Sequence, residues 1–457
     1  MEKKLSITFW SGVGTVTGAN FLLEGNNTNI LVDCGLEQGT PEAYTENSKP
    51  FAYDVKSMDY LFITHAHMDH IGRVCKLVKD GFKGTIYSTE ETKELAHLML
   101  LDALKVMDMK EKASIEGVRE MPLYNVEDFN KAFSLWKTIP YHKNTEINKD
   151  FSVYLKDAGH ILGSAMYEFS FNGKKIVFTG DSGNSPAPLL KDTEEITDAD
   201  YLVVDSVYGD RNHEPKDERD EKFRQIVTET IKNNGAVVIP AFSIERTQVI
   251  LYELNNLVEG GLIPSVPVFL DSPLGQKVTE VYARSKKDFK PEVQQEIKGG
   301  DNVFDFPKLN ITHGSRDSQA IVNTANPKII IAGSGMSTGG RIMSHEINFL
   351  PDPKSTILLM GYQAIGTLGR QIQERPKYVE INGRQVSIKA RVEMISGYSS
   401  HKDSDGIVDM VSNTAKTVKK VFVVMGEPKA STYLVQRLRE ELEVEAVYPE
   451  RGKRYDL

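Results

Sequence analysis

Apolar and polar positions along this chain fall into two rhythms. In the first, short apolar runs end abruptly in polar, metal-binding side chains. Leu5 to Trp10 alternates with Ser6 and Thr8 and stops at Ser11-Gly12, which predicts a half-buried strand. Asn29 to Asp33, Tyr60 to Thr64, Phe151 to Leu155, Lys175 to Thr179 and Tyr201 to Val204 read as further strands. Leu95, Leu98, Met99, Leu101, Leu104 and Met107 recur at helical spacing and predict a helix over 91–110. From about residue 210 the rhythm becomes regular strand–helix alternation. Ala236 to Ile239 precedes a helix from Ser243, Pro267 to Leu270 one from Ser272, and Lys328 to Ile331 one near Gly340. Thr356 to Met360 follows as another strand. This alternation predicts a doubly wound parallel sheet. The first rhythm then returns. A strand from Val386 to Ile395 leads to Gly397-Tyr398-Ser399-Ser400-His401, and Val421 to Val424 precedes a helix through Leu434, Leu438 and Leu442. The chain is therefore α/β, with one domain interrupted by another. The expected boundaries are 1–209, 210–385 and 386–457.

The strand ends carry the chemistry. Tyr60 to Thr64 delivers His65-Ala66-His67-Met68-Asp69-His70, so four of six consecutive side chains are potential metal ligands. The chain has ten histidines, and packing or solubility would not gather three of them here. Zinc takes imidazole and carboxylate ligands in sets of about four. Spacing across a strand-to-helix turn suits two neighbouring ions, a pair that can activate water between them. Asp157-Ala158-Gly159-His160, Gly180-Asp181 and Asp205 end later strands in the same way. The repetition builds a site at one edge of the sheets.

Bulk properties narrow the picture only slightly. A length of 457 residues argues for two or three domains, and 40% apolar with 26% charged residues is ordinary for a globular protein. Two cysteines, Cys34 and Cys75, lack zinc-ribbon or CxxC spacing, so buried free thiols and the reducing cytoplasm are expected. Met1 to Lys4 and the run after it do not form a secretory signal, and no run of about 18 apolar residues predicts a membrane span. A net charge of −9 counts against a broad, nonspecific grip on nucleic acid, although bound cations can hold a phosphate without a basic surface.

The ordered motifs resemble those of the metallo-β-lactamase fold in its β-CASP branch. His65-x-His67-x-Asp69-His70, with Asp33 upstream and His160 and Asp181 downstream, is similar to the metal-binding set of that fold. Asp205 in Asp205-Ser206-Val207-Tyr208-Gly209-Asp210, His401 in Ser399-Ser400-His401-Lys402-Asp403, the segment Gly333 to Arg341, and Gly361-Tyr362-Gln363-Ala364 resemble the branch's additional motifs. The resemblance covers nearly the whole chain. It implies a metallo-β-lactamase αββα sandwich with an inserted β-CASP domain, and a metal-dependent ribonuclease of RNA processing or decay. RNA is the implied substrate. Zn2+ is the implied cofactor, one or two ions per chain, with Mn2+ as a substitute. His65, His67 and His160 would hold the first ion, Asp69 and His70 the second, and Asp181 both. Asp33 would orient the ligands through hydrogen bonds. A metal-bound hydroxide would attack the phosphodiester, with Asp69 in the catalytic set. His401 would protonate the departing oxygen with Asp205 orienting it. Gly335, Met336, Ser337, Gly339, Gly340 and His345 would contact substrate, although the glycines could equally serve only the turn. A homodimer or an assembly with RNA-processing proteins is expected. The KH RNA-binding extension of archaeal members is expected to be missing.

One position departs from the pattern. The family ends a late strand with Val-His-Gly-Glu, whereas this chain reads Val424-Met425-Gly426-Glu427. A thioether is a poor partner for zinc beside carboxylates, so weaker second-ion binding and reduced activity are expected. Three competing readings follow. The chain could be a weakened RNA- or partner-binding homologue, supported by Met425. It could be a serine hydrolase, because Gly335-Met336-Ser337-Thr338-Gly339 matches G-x-S-x-G with Asp352 and His401 following in order. It could be a small-molecule metallohydrolase such as a thioesterase or lactamase, although a small substrate needs no inserted domain. Of the other histidines, His97 reads as packing or surface, and His142, His213 and His313 as solvated loop residues.

Overall fold

The structure, a computed structural model, describes residues 5–39, 41–113 and 122–457. Met1 to Lys4, weighed above as a signal, lie outside the described residues. The chain divides into two compact units. The first comprises 1–185, 192–212 and 401–457, and the second 186–191 and 213–400.

The first unit is built on two seven-stranded sheets. One runs in the order Arg454–Asp456, Leu5–Ser11, Asn20–Gly25, Thr28–Val32, Tyr60–Phe62, Thr85–Ser88, Trp136–Thr138. The other runs Ala446–Val447, Lys420–Val424, Tyr201–Asp205, Lys174–Phe178, Ala165–Phe171, Phe151–Asp157, Thr145–Glu146. Period-2 patterning explains how they meet. Ile7, Phe9, Leu23, Ile30 and Phe62 of the first sheet share one core with Val153, Leu155, Tyr167, Phe169 and Phe178 of the second. Phe62 meets Phe169 edge-on at 4.9 Å between ring centres. The alternate residues of the second sheet, among them Val177, Leu202, Val204 and Val421, pack outward on Ile407, Val411, Leu434 and Leu438. These belong to helices Ser404–Ser412 and Pro428–Leu442. The expected helix over 91–110 is Glu90–Ala113. The result is the four-layer α/β/β/α sandwich that the resemblance implies. Leu5–Ser11 departs from expectation in being buried on both faces, with Ser6 and Thr8 inside as well. Ser6 satisfies its hydroxyl on Glu24 at 3.4 Å.

The second unit holds a six-stranded sheet in the order Leu309–Ile311, Val268–Asp271, Lys328–Ala332, Ala236–Pro240, Thr356–Met360, Arg391–Ile395. Every pairing in it is parallel, as the strand–helix alternation predicts. The stretch expected as one strand over 386–395 is two. Arg384–Ser387 closes a hairpin with Tyr378–Ile381, while Arg391–Ile395 joins the parallel sheet. The break lies at Lys389 and Ala390, whose amides both donate to Leu350 O. The second compact unit runs on to Ser400. It also takes in 186–191, where Lys290 N donates to Leu189 O at 3.1 Å. No periodicity marks that short loop. Among the described residues, no helix is long and apolar enough to cross a membrane. Cys34 and Cys75 are buried and unbridged, and burial pushes the Cys34 thiol up to about 12, so it stays protonated and unreactive.

Candidate metal centre

Every side chain of the centre belongs to the first unit, and most stand at or just past a strand end. Strand Tyr60–Phe62 leads through Thr64 to His65, and the short helix Met68–Ile71 presents Asp69 and His70. His160 follows Phe151–Asp157, Asp181 follows Lys174–Phe178, and Asp205 closes Tyr201–Asp205. His401 precedes helix Ser404–Ser412, whose cap Asp403 accepts the Gly406 amide at 2.9 Å. Two glycines make these turns feasible. Gly159 (φ +64°) and Gly180 (φ +59°) are left-handed, and a Cβ on either would stand 2.5 Å from Thr193 N or 2.7 Å from the Thr64 side chain.

The polar atoms converge with the dimensions of a metal site. His65 Nε2 lies 3.1 Å from His67 Nδ1, which lies 3.2 Å from His160 Nε2. Asp181 Oδ2 stands 3.4 Å from His65 Nε2 and 3.5 Å from His160 Nε2. A tetrahedron with zinc–ligand bonds of about 2.0–2.1 Å has edges of about 3.3 Å, so these four atoms suit one central cation. The other carboxylate oxygen of Asp181 turns the opposite way, 3.3 Å from His70 Nε2, which is 3.8 Å from Asp69 Oδ2. Neither Asp181 Oδ1 nor His70 Nε2 makes a hydrogen bond, although both are buried. Buried polar atoms of that kind call for a partner such as an ion. Asp69, His70 and Asp181 form a second donor set, and Asp181 belongs to both.

The electrostatics suit a cation. Burial, followed by the neighbouring imidazoles, holds His67 and His160 well below the usual histidine value, and burial lowers His65. All three are thus neutral and ready to ligate. Burial opposes ionisation of Asp181, yet the surrounding His70, His65 and His401 hold its carboxyl well below the usual range. His401 is raised: burial works against its charge, but Asp181 and then Asp205 outweigh it.

Asp33 is a hydrogen-bond acceptor beside the donor sets. Its oxygens accept Thr64 N and Thr64 Oγ1, each at 2.8 Å, and the His70 Nδ1 proton at 2.7 Å. That fixes the tautomer that leaves His70 Nε2 facing Asp181. Replacing Asp33 by Ala should lower metal affinity about 10–100-fold, read by metal titration, because orienting partners act on that scale. Two residues escaped the sequence reading. The Thr64 hydroxyl, 3.0 Å from His65 Nδ1, orients a second ligand, and Asn20 Nδ2 donates to Asp33 O at 2.8 Å. Only the position of Thr64, directly before His65, could have signalled this. The structure also adds Asp181 to the Asp205–His401 pair, as a third cluster.

The chain matches the Metallo-beta-lactamase superfamily domain over residues 22–197, the Beta-Casp domain over 247–372 and the Zn-dependent metallo-hydrolase RNA specificity domain over 385–449. It is 35% identical to ribonuclease TTHA0252 of Thermus thermophilus, across 88% of this chain and 90% of that protein. The chain belongs to the β-CASP branch of the metallo-β-lactamase superfamily. Other β-CASP relatives include transcription termination factor FttA of Methanosarcina mazei, 31% identical across 97% of this chain and 70% of that protein. An RNase J-like protein of Methanocaldococcus jannaschii is 30% identical across 94% of each chain. A crystal structure of a protein of unknown function from Enterococcus faecalis V583 shares the fold, with a TM-score of 0.54, 12% identity, and coverage of 99% of this chain and 100% of that one.

The glycine-rich loop of the β-CASP unit has mostly internal work. Gly335 is pressed on the Phe242 ring, where a Cβ would come within 2.6 Å, and Gly340 (φ +74°) leaves 2.5 Å between such a Cβ and Gly333 O. His345 is buried and donates from Nε2 to Asp271 Oδ2 at 2.7 Å, and Asp271 also accepts Arg341, Thr312 and Ser318. The serine-hydrolase reading fails here. Ser337 is buried, and its hydroxyl is committed to Glu346 rather than to a histidine. Asp352 accepts Ser355 Oγ at 2.6 Å, and His401 sits in the metal cluster. Of the other histidines, His97 packs edge-on to Phe129 and Phe133, and His142 pairs with Glu194 at the surface.

Glu346 supplies a pH test. Burial lifts its carboxyl from 4.5 to about 8, with only the Ser337 hydroxyl opposing. A carboxyl raised on folding loses stability as pH climbs from its unfolded toward its folded value, because the unfolded chain sheds the proton first. Glu346→Gln should therefore melt higher than the unsubstituted chain at pH 8–9, by on the order of a few kcal/mol of stability. The difference should close as pH falls toward 4.5. Thermal melts across that range check it.

Proposed function

We propose that this chain is a zinc-dependent ribonuclease that cuts RNA phosphodiester bonds by endonucleolytic or 5′–3′ exonucleolytic attack. The observation that carries the reading is the pair of donor sets sharing Asp181, with His401 beside them. Three imidazoles and a carboxylate suit zinc at the first position. Ions held by His65, His67, His160 and Asp181, and by Asp69, His70 and Asp181, would supply Lewis acidity and lower the pKa of water. RNA as substrate is supported by the match to an RNA specificity domain and by relatives named as ribonucleases.

The chain's own residues divide the remaining work. His401 is part-exposed, with Nδ1 3.6 Å from Asp205 Oδ2, and Asp181 and then Asp205 raise its pKa against burial. It donates the proton that the departing sugar oxygen needs. Asp205 is fully buried and anchored by the Ser182 amide at 3.0 Å, so it positions that imidazole and does not itself reach substrate. Within the glycine-rich loop, Met336, Gly339 and Gly340 reach the surface and can meet RNA, whereas Gly335, Ser337 and His345 are buried beneath them. Buried unbridged cysteines fit a reducing cytoplasm. Met425 favours a second reading, in which RNA is bound but cut slowly.

Cleavage of a 5′-labelled RNA, with and without zinc or manganese, tests both. Metal-dependent products lost in His65→Ala establish the nuclease, and the product ladder separates internal from end-directed attack. RNA bound but uncut under every metal condition supports the slow homologue. Hydrolysis of a thioester or lactam without RNA cleavage would sink both.

A further inference from the structure

Met425 lines the same small cavity as His70, one of the donors of the second set. It follows strand Lys420–Val424 in the left-handed region (φ +48°). Its amide donates to Gly12 O at 2.8 Å, and its carbonyl accepts Ser206 N at 3.3 Å. The backbone is thus held from both sides. The side chain closes a small cavity that it shares with His70, Asp33, Thr64 and Phe178.

Two features of that cavity matter. The sulfur is engaged in packing: it lies 2.7 Å from where a Cβ on Gly12 would stand, and the Phe21 ring lies within 3.3 Å of the same point. Met425 is 2% exposed and belongs to the core formed by the two sheets. The cavity measures about 10 Å³, at or below the room one ordered water needs. Asp33 and Thr64, polar groups that line the cavity, are already committed to each other and to His70 Nδ1, and no room remains beside His70 for a water donor.

The two donor sets are therefore unequal. The first has four side chains and the second three, one of them shared. The first is rich in imidazole, and the second has two carboxylates and one imidazole. Carboxylate oxygens suit manganese, whereas imidazole favours zinc. We infer that the chain retains one tightly held zinc ion at His65, His67, His160 and Asp181, and that Asp69, His70 and Asp181 hold a weak, exchangeable second ion that can be manganese, kept weak by the non-ligating Met425. The inference rests on the metal reading of the site and not on RNA being the substrate.

Metal analysis tests it without any activity assay. The purified chain is dialysed against metal-free buffer and its zinc counted by mass spectrometry. Manganese is then titrated in, with the free ion followed by electron paramagnetic resonance. One retained zinc is expected, with one further manganese position. Met425→His should tighten that second position by about tenfold or more, the scale on which changes around a metal alter affinity. Met425→Leu should leave it unchanged, and Asp69→Asn should remove it while the first zinc stays. Two zinc ions retained by the unsubstituted chain would overturn the inference, as would weaker manganese binding in Met425→Leu, which would make the sulfur a ligand. No tightening in a folded Met425→His would also overturn it. If that variant misfolds, the unsubstituted chain and Met425→Leu still decide. Retention of no ion at all would instead bring down the metal reading beneath the inference.

Discussion

Asp181→Asn should lower RNA cleavage by about four orders of magnitude, the scale on which removing a central catalytic group acts. No other side chain enters all three clusters of the centre. One of its oxygens completes the set of His65, His67 and His160, and the other faces His70 at 3.3 Å. Asparagine keeps the shape but removes the charge and offers only one good acceptor oxygen. Both positions should lose affinity together, so metal retention after dialysis should fall alongside the rate. His67→Ala makes the contrast, because it withdraws one of four donors from one position and leaves Asp69, His70 and Asp181 complete. Equal metal retention in Asp181→Asn and the unsubstituted chain would rule out a bridging role.

The second large effect separates proton transfer from metal binding. His401→Ala should cut cleavage by about 10²–10⁴-fold, the usual contribution of a positioned general acid, and should leave the tightly held ion in place. His401 is absent from both sets built on the histidine-rich segment. Its ring lies 4.6 Å from that of His160, and its Nδ1 lies 3.6 Å from Asp205 Oδ2. Asp205→Asn should fall between the two, because Asn still accepts the Ser182 amide but no longer holds His401 by charge. Cleavage rates measured beside zinc content decide the matter. A loss of zinc in His401→Ala equal to its loss of rate would make His401 a ligand rather than an acid.

Much of this centre could be read from single residues and short spacings. His65 to His70 lie within six positions, and strands that end in Asp33, His160, Asp181 and Asp205 announce themselves by apolar runs that stop at a charge. Parallel pairing in the β-CASP unit followed from strand–helix alternation, because parallel neighbours need a crossover between them. The glycine-rich loop was less legible. Its pattern fitted a nucleophile, a phosphate cradle and a plain turn alike, and only the contacts of Gly335, Ser337 and Gly340 show how much of it is packing.

What the sequence determined by itself was therefore local: which residues can ligate, which stretches alternate, and which fold family those motifs belong to. Tertiary structure alone decided which atoms face which. It put the two oxygens of Asp181 toward different histidines, made Thr64 and Asn20 supports of the site, and broke the stretch over 386–395 at Lys389 and Ala390, where Leu350 O takes both amides. It also turned the sulfur of Met425 onto Gly12 in the core. Apart from Thr64 and its neighbour His65, these pairings join residues distant along the chain. Periodicity reports the face a residue occupies on its own element, and carries no record of the partner that packing brings opposite it.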